Sequence, residues 1–316
     1  MKQLADKNTL AGKHFLSLQD LTKEEILSIL ELAAELKSQH QKGELSQPLA
    51  GKTLGMIFEK SSTRTRVSFE TGIYQLGGMG LYLNANDLQL GRGEPVADTA
   101  KVLSGYLDAI MIRANSHKMV EELAAHATIP VINGLTDLYH PCQALADLQT
   151  ILEHKGTLEG VKLAYIGDAN NVSNSLMIAA AKTGMQIRIA SPAGYQPIPE
   201  IAEKAKAISA DPAFLLITES PEEAAAGADV IYTDVWTSMG QEQETQARLS
   251  AFQGYQVNEA LMQAADSAAI FLHCLPAHRG EEVTTAVIDG PQSAVFQEAE
   301  NRLHAQKALM LAVMKK

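Results

Sequence analysis

The feature that most constrains this chain is a rhythm. Short apolar runs, each closed by a polar or glycine-containing turn, alternate with longer stretches whose apolar residues recur at helical spacing. Parallel strands need a crossover between them, normally a helix, so this alternation predicts βα units and parallel sheets. The predicted strands of the first half are 53–58, 81–83, 108–112 and 129–132. Those of the second are 161–166, 186–190, 214–218, 229–235 and 269–272. Helical patterns include 23–39 and 141–155, the latter striped by Leu145, Leu148 and Leu152. A long C-terminal helix spans 293–314, with Phe296, Leu303, Met310 and Val313 as expected buried positions.

At 316 residues the chain suits two domains, and no repeat or low-complexity linker separates them. The helix over 141–155 carries the chain across and stops at Lys155-Gly156. The expected fold class is α/β: two domains, each a parallel sheet flanked by helices, linked by interdomain helices. The domains are 1–145 and 146–292, with the C-terminal helix 293–316 a candidate to pack on the first.

Formal net charge is −11 and no basic run exceeds Lys315-Lys316. That disfavours nucleic-acid partners, which need a broad positive surface. An anionic ligand would instead need a local positive pocket, so clustered arginines are informative. Cys142 and Cys274 cannot build a disulfide framework and are too few for a structural zinc site, which favours a reducing compartment. The first residues lack the apolar core of a secretion signal, and Asp6 argues against an Arg-rich transit peptide. No window approaches the roughly 18–20 apolar residues of a membrane span. A cytoplasmic location is expected.

In open α/β sheets ligands bind beyond the carboxyl ends of the strands, and the polar signals all follow predicted strands. After 53–58 comes Glu59-Lys60-Ser61-Ser62-Thr63-Arg64-Thr65-Arg66, opening a helix that Gly77-Gly78 stops. Unpaired N–H groups and the dipole at a helix start favour an anion, hydroxyls add donors, and a guanidinium fork suits phosphate oxygens. Arg64 and Arg66 point to opposite sides, so Arg64 is the candidate ligand and Arg66 a structural residue. Read alone, the segment is equally an N-cap with surface arginines.

Pro141 suits a first helical turn and holds His140 extended, leaving His140 and Gln143 on one side of the helix start. A donor from His140 would stabilise negative charge developing on a carbonyl oxygen. Arg113, after 108–112, adds positive charge. Asn171 closes Gly167-Asp168-Ala169-Asn170-Asn171 after 161–166, with Asn170 the alternative register; GxGxxG is absent, so a dinucleotide site is a weak reading. Asp234 ends a strand, and Cys274 sits between a strand and Leu275-Pro276. Alone, these are a turn former and an inert buried thiol.

Taken together, the motifs resemble one family. Phe58-Glu59-Lys60-Ser61-Ser62-Thr63-Arg64-Thr65-Arg66 resembles the carbamoyl-phosphate motif of the aspartate/ornithine carbamoyltransferases. Asp137-Leu138-Tyr139-His140-Pro141-Cys142-Gln143-Ala144-Leu145-Ala146-Asp147 resembles their second motif. Asp234-Val235-Trp236-Thr237-Ser238-Met239-Gly240 and His273-Cys274-Leu275-Pro276 resemble the ornithine branch. The likeness runs in order over nearly the whole chain.

The resemblance implies that 1–145 binds carbamoyl phosphate and 146–292 binds ornithine. It implies donor ligands at Ser62, Thr63, Arg64, Thr65, Arg113, His140, Pro141, Cys142, Gln143, Cys274, Leu275 and Arg302, with Gln89 reaching a neighbouring subunit's site. For Arg302 an ion pair with Glu298, four residues earlier, is the alternative. Asn171 is implied at the α-carboxylate of ornithine, Asp234 and Ser238 at its α-ammonium, and the Met239 N–H near its carboxylate. Cys274, Asp234, His140 and Arg113 form the implied catalytic set; Cys274 lies beside the reacting carbonyl without acting as a covalent nucleophile. A cis Leu275–Pro276 bond is implied as well.

The expected reaction converts carbamoyl phosphate and L-ornithine to L-citrulline and phosphate, in arginine metabolism on its biosynthetic side. No cofactor or metal is called for, and analogy suggests a homotrimer or a multiple of it, with no nucleic-acid or membrane partner. The alternatives are a carbamoyltransferase for another amine (putrescine or an N-acylated ornithine) and a non-catalytic anion- or nucleotide-binding α/β protein.

Overall fold

Two separate parallel sheets organise the chain, in a computed structural model that describes residues 10–44, 46–91, 93–237 and 242–315. One unit comprises Met1–Gln149 and Glu300–Lys316, the other Thr150–Ala299. In the first, β1 (Thr53–Phe58), β2 (Met79–Asn84), β3 (Ala109–Arg113) and β4 (Val131–Leu135) lie in the order β2-β1-β3-β4. Its helices are α1 (Lys23–Gln41), α2 (Thr63–Gln75), α3 (Val96–Tyr106) and α4 (His117–His126), followed by α5 (Pro141–Lys155), which runs on into the second unit.

In the second unit β5 (Lys162–Ile166), β6 (Gln186–Ala190), β7 (Leu215–Thr218), β8 (Val230–Tyr232) and β9 (Ile270–Leu272) are ordered β7-β6-β5-β8-β9. Between them lie α6 (Asn171–Thr183), α7 (Pro199–Ile208), α8 (Pro221–Ala225), α9 (Thr245–Ala251), α10 (Glu259–Ala264) and α11 (Thr285–Ile288), before α12 (Val295–Met314) returns to the first unit. Among the described residues, no helix is long and apolar enough to cross a membrane.

Local chemistry sets these bounds. Thr22 and Glu25 form a capping box that starts α1. Gly184, at φ +80°, ends α6 in the left-handed region that a side chain would disfavour. Strands β1, β3, β5 and β8 are central and nearly all their residues are buried, as expected for a sheet covered on both faces. The first core gathers Ile57, Ile110, Ile112, Val120, Leu123 and Val131. The second includes Ile166, Ile231, Phe252, Phe271 and Val283, with Trp236 stacked on Phe252 at 5.5 Å. Full burial of each such side chain stabilises by about 1.5–3 kcal/mol.

Three expectations need correction. The strand expected at 129–132 begins at Val131, because Pro130 has no N–H to give a ladder; its carbonyl only accepts, from Ile110 N at 2.9 Å. The strand expected over 229–235 ends at Tyr232; beyond it the Thr233 hydroxyl donates to Ile166 O at 2.6 Å and Asp234 leaves the sheet. In α12, Met310 and Val313 are buried and Leu303 is half-buried, but Phe296 is 68% exposed. The buried face instead carries Asn301, Arg302, His304, Gln306 and Lys307. Polar groups are tolerated there where partners meet them: Lys37 Nζ donates to Asn301 Oδ1 at 2.8 Å and Lys307 Nζ to Gln75 Oε1 at 3.0 Å.

Each strand order reverses once. From β1 the chain goes first to β2 on one side, then to β3 on the other; from β5 it goes to β6, then across to β8. Such switch points open a crevice beyond the carboxyl ends of the strands. The loops after β1 and β3, and those after β5 and β8, therefore carry the candidate residues.

Candidate functional site

At the first switch point Ser62 caps α2, its hydroxyl accepting from Thr65 N at 3.3 Å. No acidic residue occupies the first turn of α2, so nothing there opposes an incoming anion. Thr63 is exposed, Arg64 half-buried and Thr65 buried. Arg66 leaves by the other side: Nε donates to Glu70 Oε2 at 3.3 Å and the guanidinium lies 3.8 Å over the Tyr82 ring.

Thr65 leads to a buried polar cluster. Arg302 donates through Nη2 to Thr65 Oγ1 at 3.2 Å and through Nη1 to Gln143 Oε1 at 2.6 Å, while Gln143 Nε2 donates to Asp147 Oδ1 at 2.8 Å. Gln306 completes the guanidinium's surroundings when its amide is turned so that the oxygen accepts from Arg302 Nε at 3.1 Å. The local alternative for Arg302, Glu298, is a carboxylate that accepts from Tyr232 OH at 3.2 Å and His273 N at 2.9 Å.

His140 is buried, and its pKa is held well below the ordinary histidine value, first by burial and then by the charges of Arg302, Arg113 and Arg64. Its imidazole is therefore neutral at neutral pH, a hydrogen-bond donor rather than a cation. Arg113, buried at the end of β3, is paired in register with Phe58 at the end of β1. Pro141 opens α5, where Gln143 N donates to His140 O at 3.1 Å. The Cys142 thiol turns to the core, donating to Asn133 O at 3.3 Å; burial pushes its pKa up to about 12, so it stays protonated and inert. Gln89 is exposed in a short turn after β2.

At the second switch point Asn170 and Asn171 have separate jobs. Asn170 caps α6, its Oδ1 accepting from Val172 N at 2.9 Å, and its Nδ2 donates to Asp234 Oδ2 at 2.7 Å. Asn171, the first helical residue, is half-buried. Asp234 Oδ1 accepts from Val235 N at 2.8 Å and from Cys274 Sγ at 3.1 Å. Cys274 is half-buried; Leu275 follows at φ +57° with a cis bond to Pro276, its N–H donating to His273 Nδ1 at 2.9 Å. Ser238 and Met239 lie outside the described residues.

Arg248 and Asp168 carried no signal in the sequence, since one sits in a helix and the other in a turn 80 positions apart. Buried Arg248 donates through Nη1 to Asp168 Oδ2 at 2.8 Å and Trp236 O at 3.0 Å, and through Nε to Glu244 Oε2 at 2.9 Å. It thereby ties the turn bearing Asn170 to the segment that follows Asp234. Burial raises the Asp168 pKa to about 6, against the opposing pull of Arg248. Tyr165, whose hydroxyl donates to Asp168 O at 2.9 Å, has its own pKa raised by burial and by neighbouring negative groups.

Asp234, His273 and Cys274 each bring a potential metal-ligating atom within 4.8 Å of the others. The imidazole is already engaged, however: Nδ1 accepts from Leu275 N and Nε2 lies 3.2 Å from Glu282 Oε1. What the arrangement offers is a cationic, donor-rich cradle for an anion and a neutral imidazole in one unit. In the other it offers a carboxylate–thiol pair beside amide groups.

Comparisons with known proteins assign the chain to a family. Residues 13–153 match the carbamoyl-P binding domain, and 159–313 the Asp/Orn binding domain, of the aspartate/ornithine carbamoyltransferases. The chain is 64% identical over 306 residues to an ornithine carbamoyltransferase of Oceanobacillus iheyensis, covering 96% of this chain and 95% of that one. It is 61% identical over 311 residues to one from Bacillus subtilis, covering 98% and 96%. Among solved structures, ornithine carbamoyltransferase from Pyrococcus furiosus superposes with a TM-score of 0.93 at 56% identity, over 96% of this chain and 98% of that one.

Proposed function

Since the chain belongs to the aspartate/ornithine carbamoyltransferase family, we propose that its two switch points divide the work of one group transfer. The reaction is carbamoyl phosphate plus L-ornithine giving L-citrulline plus phosphate. The observation that carries the donor half is the cluster of Arg64, Arg113 and Arg302 around a buried, neutral His140. The start of α2 and Arg64 take the phosphate. Arg302 holds Gln143 and Thr65 in place, and the His140 N–H meets the carbamoyl oxygen as negative charge develops on it.

The acceptor half must present a neutral amine. An ornithine side chain titrates near a lysine, at roughly 10.4, so deprotonating it at pH 7 costs about 4.6 kcal/mol, from ~3.4 pK units at ~1.36 kcal/mol each. Asp234 takes the amine's proton, and the Cys274 thiol, which donates to it at 3.1 Å, helps orient the amine. Asn171 takes the α-carboxylate, supported by the commitment of Asn170 to its cap and to Asp234. Ser238 and Met239 complete the amino-acid head on the family pattern. The amine attacks the carbamoyl carbon directly and phosphate leaves.

A homotrimer belongs to the same proposal. Its support is a set of apolar side chains left exposed in the first unit: Val67 and Tyr74 on α2, Met79 and Leu81 on edge strand β2, Val102 and Tyr106 on α3. A cytoplasmic setting fits two cysteines that are both free thiols.

A citrulline-forming assay with ornithine, putrescine, N-acetylornithine and aspartate as acceptors tests the reading. Turnover with ornithine alone is expected. Folded protein that is inactive with ornithine, or that prefers putrescine, overturns it.

A further inference from the structure

The donor-site residues Arg64, Arg113 and His140 lie at or just beyond the carboxyl ends of β1, β3 and β4 in the first unit. They are tied together by groups with no part in the transfer. Glu59 N donates to Arg113 O at 2.9 Å, and Glu59 Oε2 accepts from Asn115 N at 2.6 Å and Asn115 Nδ2 at 3.1 Å. Two residues on, His117 N donates to Asp137 Oδ1 at 2.7 Å, which also accepts from Leu138 N at 3.1 Å. The His117 ring is buried, with Nδ1 3.0 Å from Thr136 Oγ1 and its plane nearly edge-on to the Tyr139 ring at 5.0 Å. Thr136 Oγ1 accepts from Tyr139 N at 3.2 Å. The turn over 136–139, which delivers His140, is thus gripped from the connection that begins at Arg113.

We propose that His117 and Asp137 are positioning residues for the carbamoyl end, fixing His140 against Arg113; this rests on the first switch point being the donor site. A neutral imidazole works as an oxyanion donor only at hydrogen-bond length, and Pro141 leaves His140 little freedom to correct an error in the turn before it. Arg113 is held in β3, paired with Phe58 and Leu135, but His140 stands beyond the end of β4, so strand pairing alone leaves the turn that bears it free to drift. The His117 brace removes that freedom.

The test compares His117→Ala and Asp137→Ala with the conservative His117→Gln and Asp137→Asn, the last of which keeps a side-chain oxygen for both N–H groups. In citrulline formation the alanine variants are expected to lose about ten- to a hundredfold in kcat, the scale of a misplacement near 1 Å. KM for carbamoyl phosphate should rise, KM for ornithine should hold, and Asp137→Asn should recover most of the loss. The ¹⁵N resonances of the His140 ring should move in both alanine variants and in His117→Gln, and stay near the wild-type positions in Asp137→Asn. Folded alanine variants with wild-type kcat and donor KM, or equal rises in both KM values, overturn the brace. If they do not fold, an unshifted His140 spectrum in His117→Gln overturns it instead. Failure of the functional reading looks different: wild-type protein would then bind no carbamoyl phosphate in calorimetry.

Discussion

Cys274 donates its thiol proton to Asp234 Oδ1 across 3.1 Å, although the two residues follow different strands and lie 40 positions apart. The same carboxylate accepts from Asn170 Nδ2 and from Val235 N. One oxygen pair thus binds three elements of the second unit, and a change at any of them redistributes its acceptors.

The pair is therefore expected to respond as a unit. Asp234→Ala releases three donors at once, and should lower kcat by about 10²- to 10⁴-fold, the usual contribution of a positioned acid–base group, while raising KM for ornithine. Cys274→Ser keeps a donor and should lose less. Steady-state kinetics with each substrate varied in turn would show donor KM unchanged in Asp234→Ala; a donor KM that rises there would argue against the assignment.

Arg302→Gln should act on the other half. Truncation strands buried Thr65 and Gln143 groups, a penalty of about 1–3 kcal/mol. Urea melts should show that loss, and KM for carbamoyl phosphate should rise. Removing a charge that depresses His140 should also shift the His140 NMR titration towards the ordinary histidine range.

Asp168 makes two pH predictions of opposite sign. Its folded value of about 6 exceeds the free value of 3.8, so the folded state holds its proton across that window. The stability this group contributes is present below 3.8 and is lost as pH rises through about 6. Activity runs the other way, because protonation removes the charge that faces Arg248. Ornithine kcat/KM should fall below about pH 6, and Asp168→Asn should flatten both profiles. An acid limb unchanged in Asp168→Asn would locate the titration elsewhere.

Tyr74 and Tyr106 are each 77% exposed, unusual for a large aromatic side chain. If they seat a second copy, light scattering should give three chains of 34.0 kDa each for the wild type and one for Tyr74→Asp/Tyr106→Asp. A wild-type mass of one chain would remove the trimer.

Local signals were legible because their causes are local. The bounds of β1, β6 and α5 coincide with those read from the sequence, since Gly, Pro and side-chain caps act within a few residues. The phosphate segment, His140-Pro141 and the Cys274 turn, ambiguous one by one, were recognisable only together, by their resemblance to one family. Element ends that depend on a partner strand were not: β8 stops where Tyr232 meets Leu272 and Tyr165, a limit set by neighbours 40 and 67 positions away.

The sequence by itself determined the βα order and the helix starts, because these follow from dihedral preference and side-chain chemistry, while the roles of the site residues came from the likeness of four motifs to one family. Tertiary structure alone decided which polar residues are buried and with whom. Arg302 reaches Gln143 and Thr65, 159 and 237 positions away, and Arg248 reaches Asp168. Apolar periodicity accordingly placed Phe296 inside and overlooked the buried polar face of α12. Burial of a charged group is acceptable only where distant partners satisfy it, and no local pattern specifies those partners.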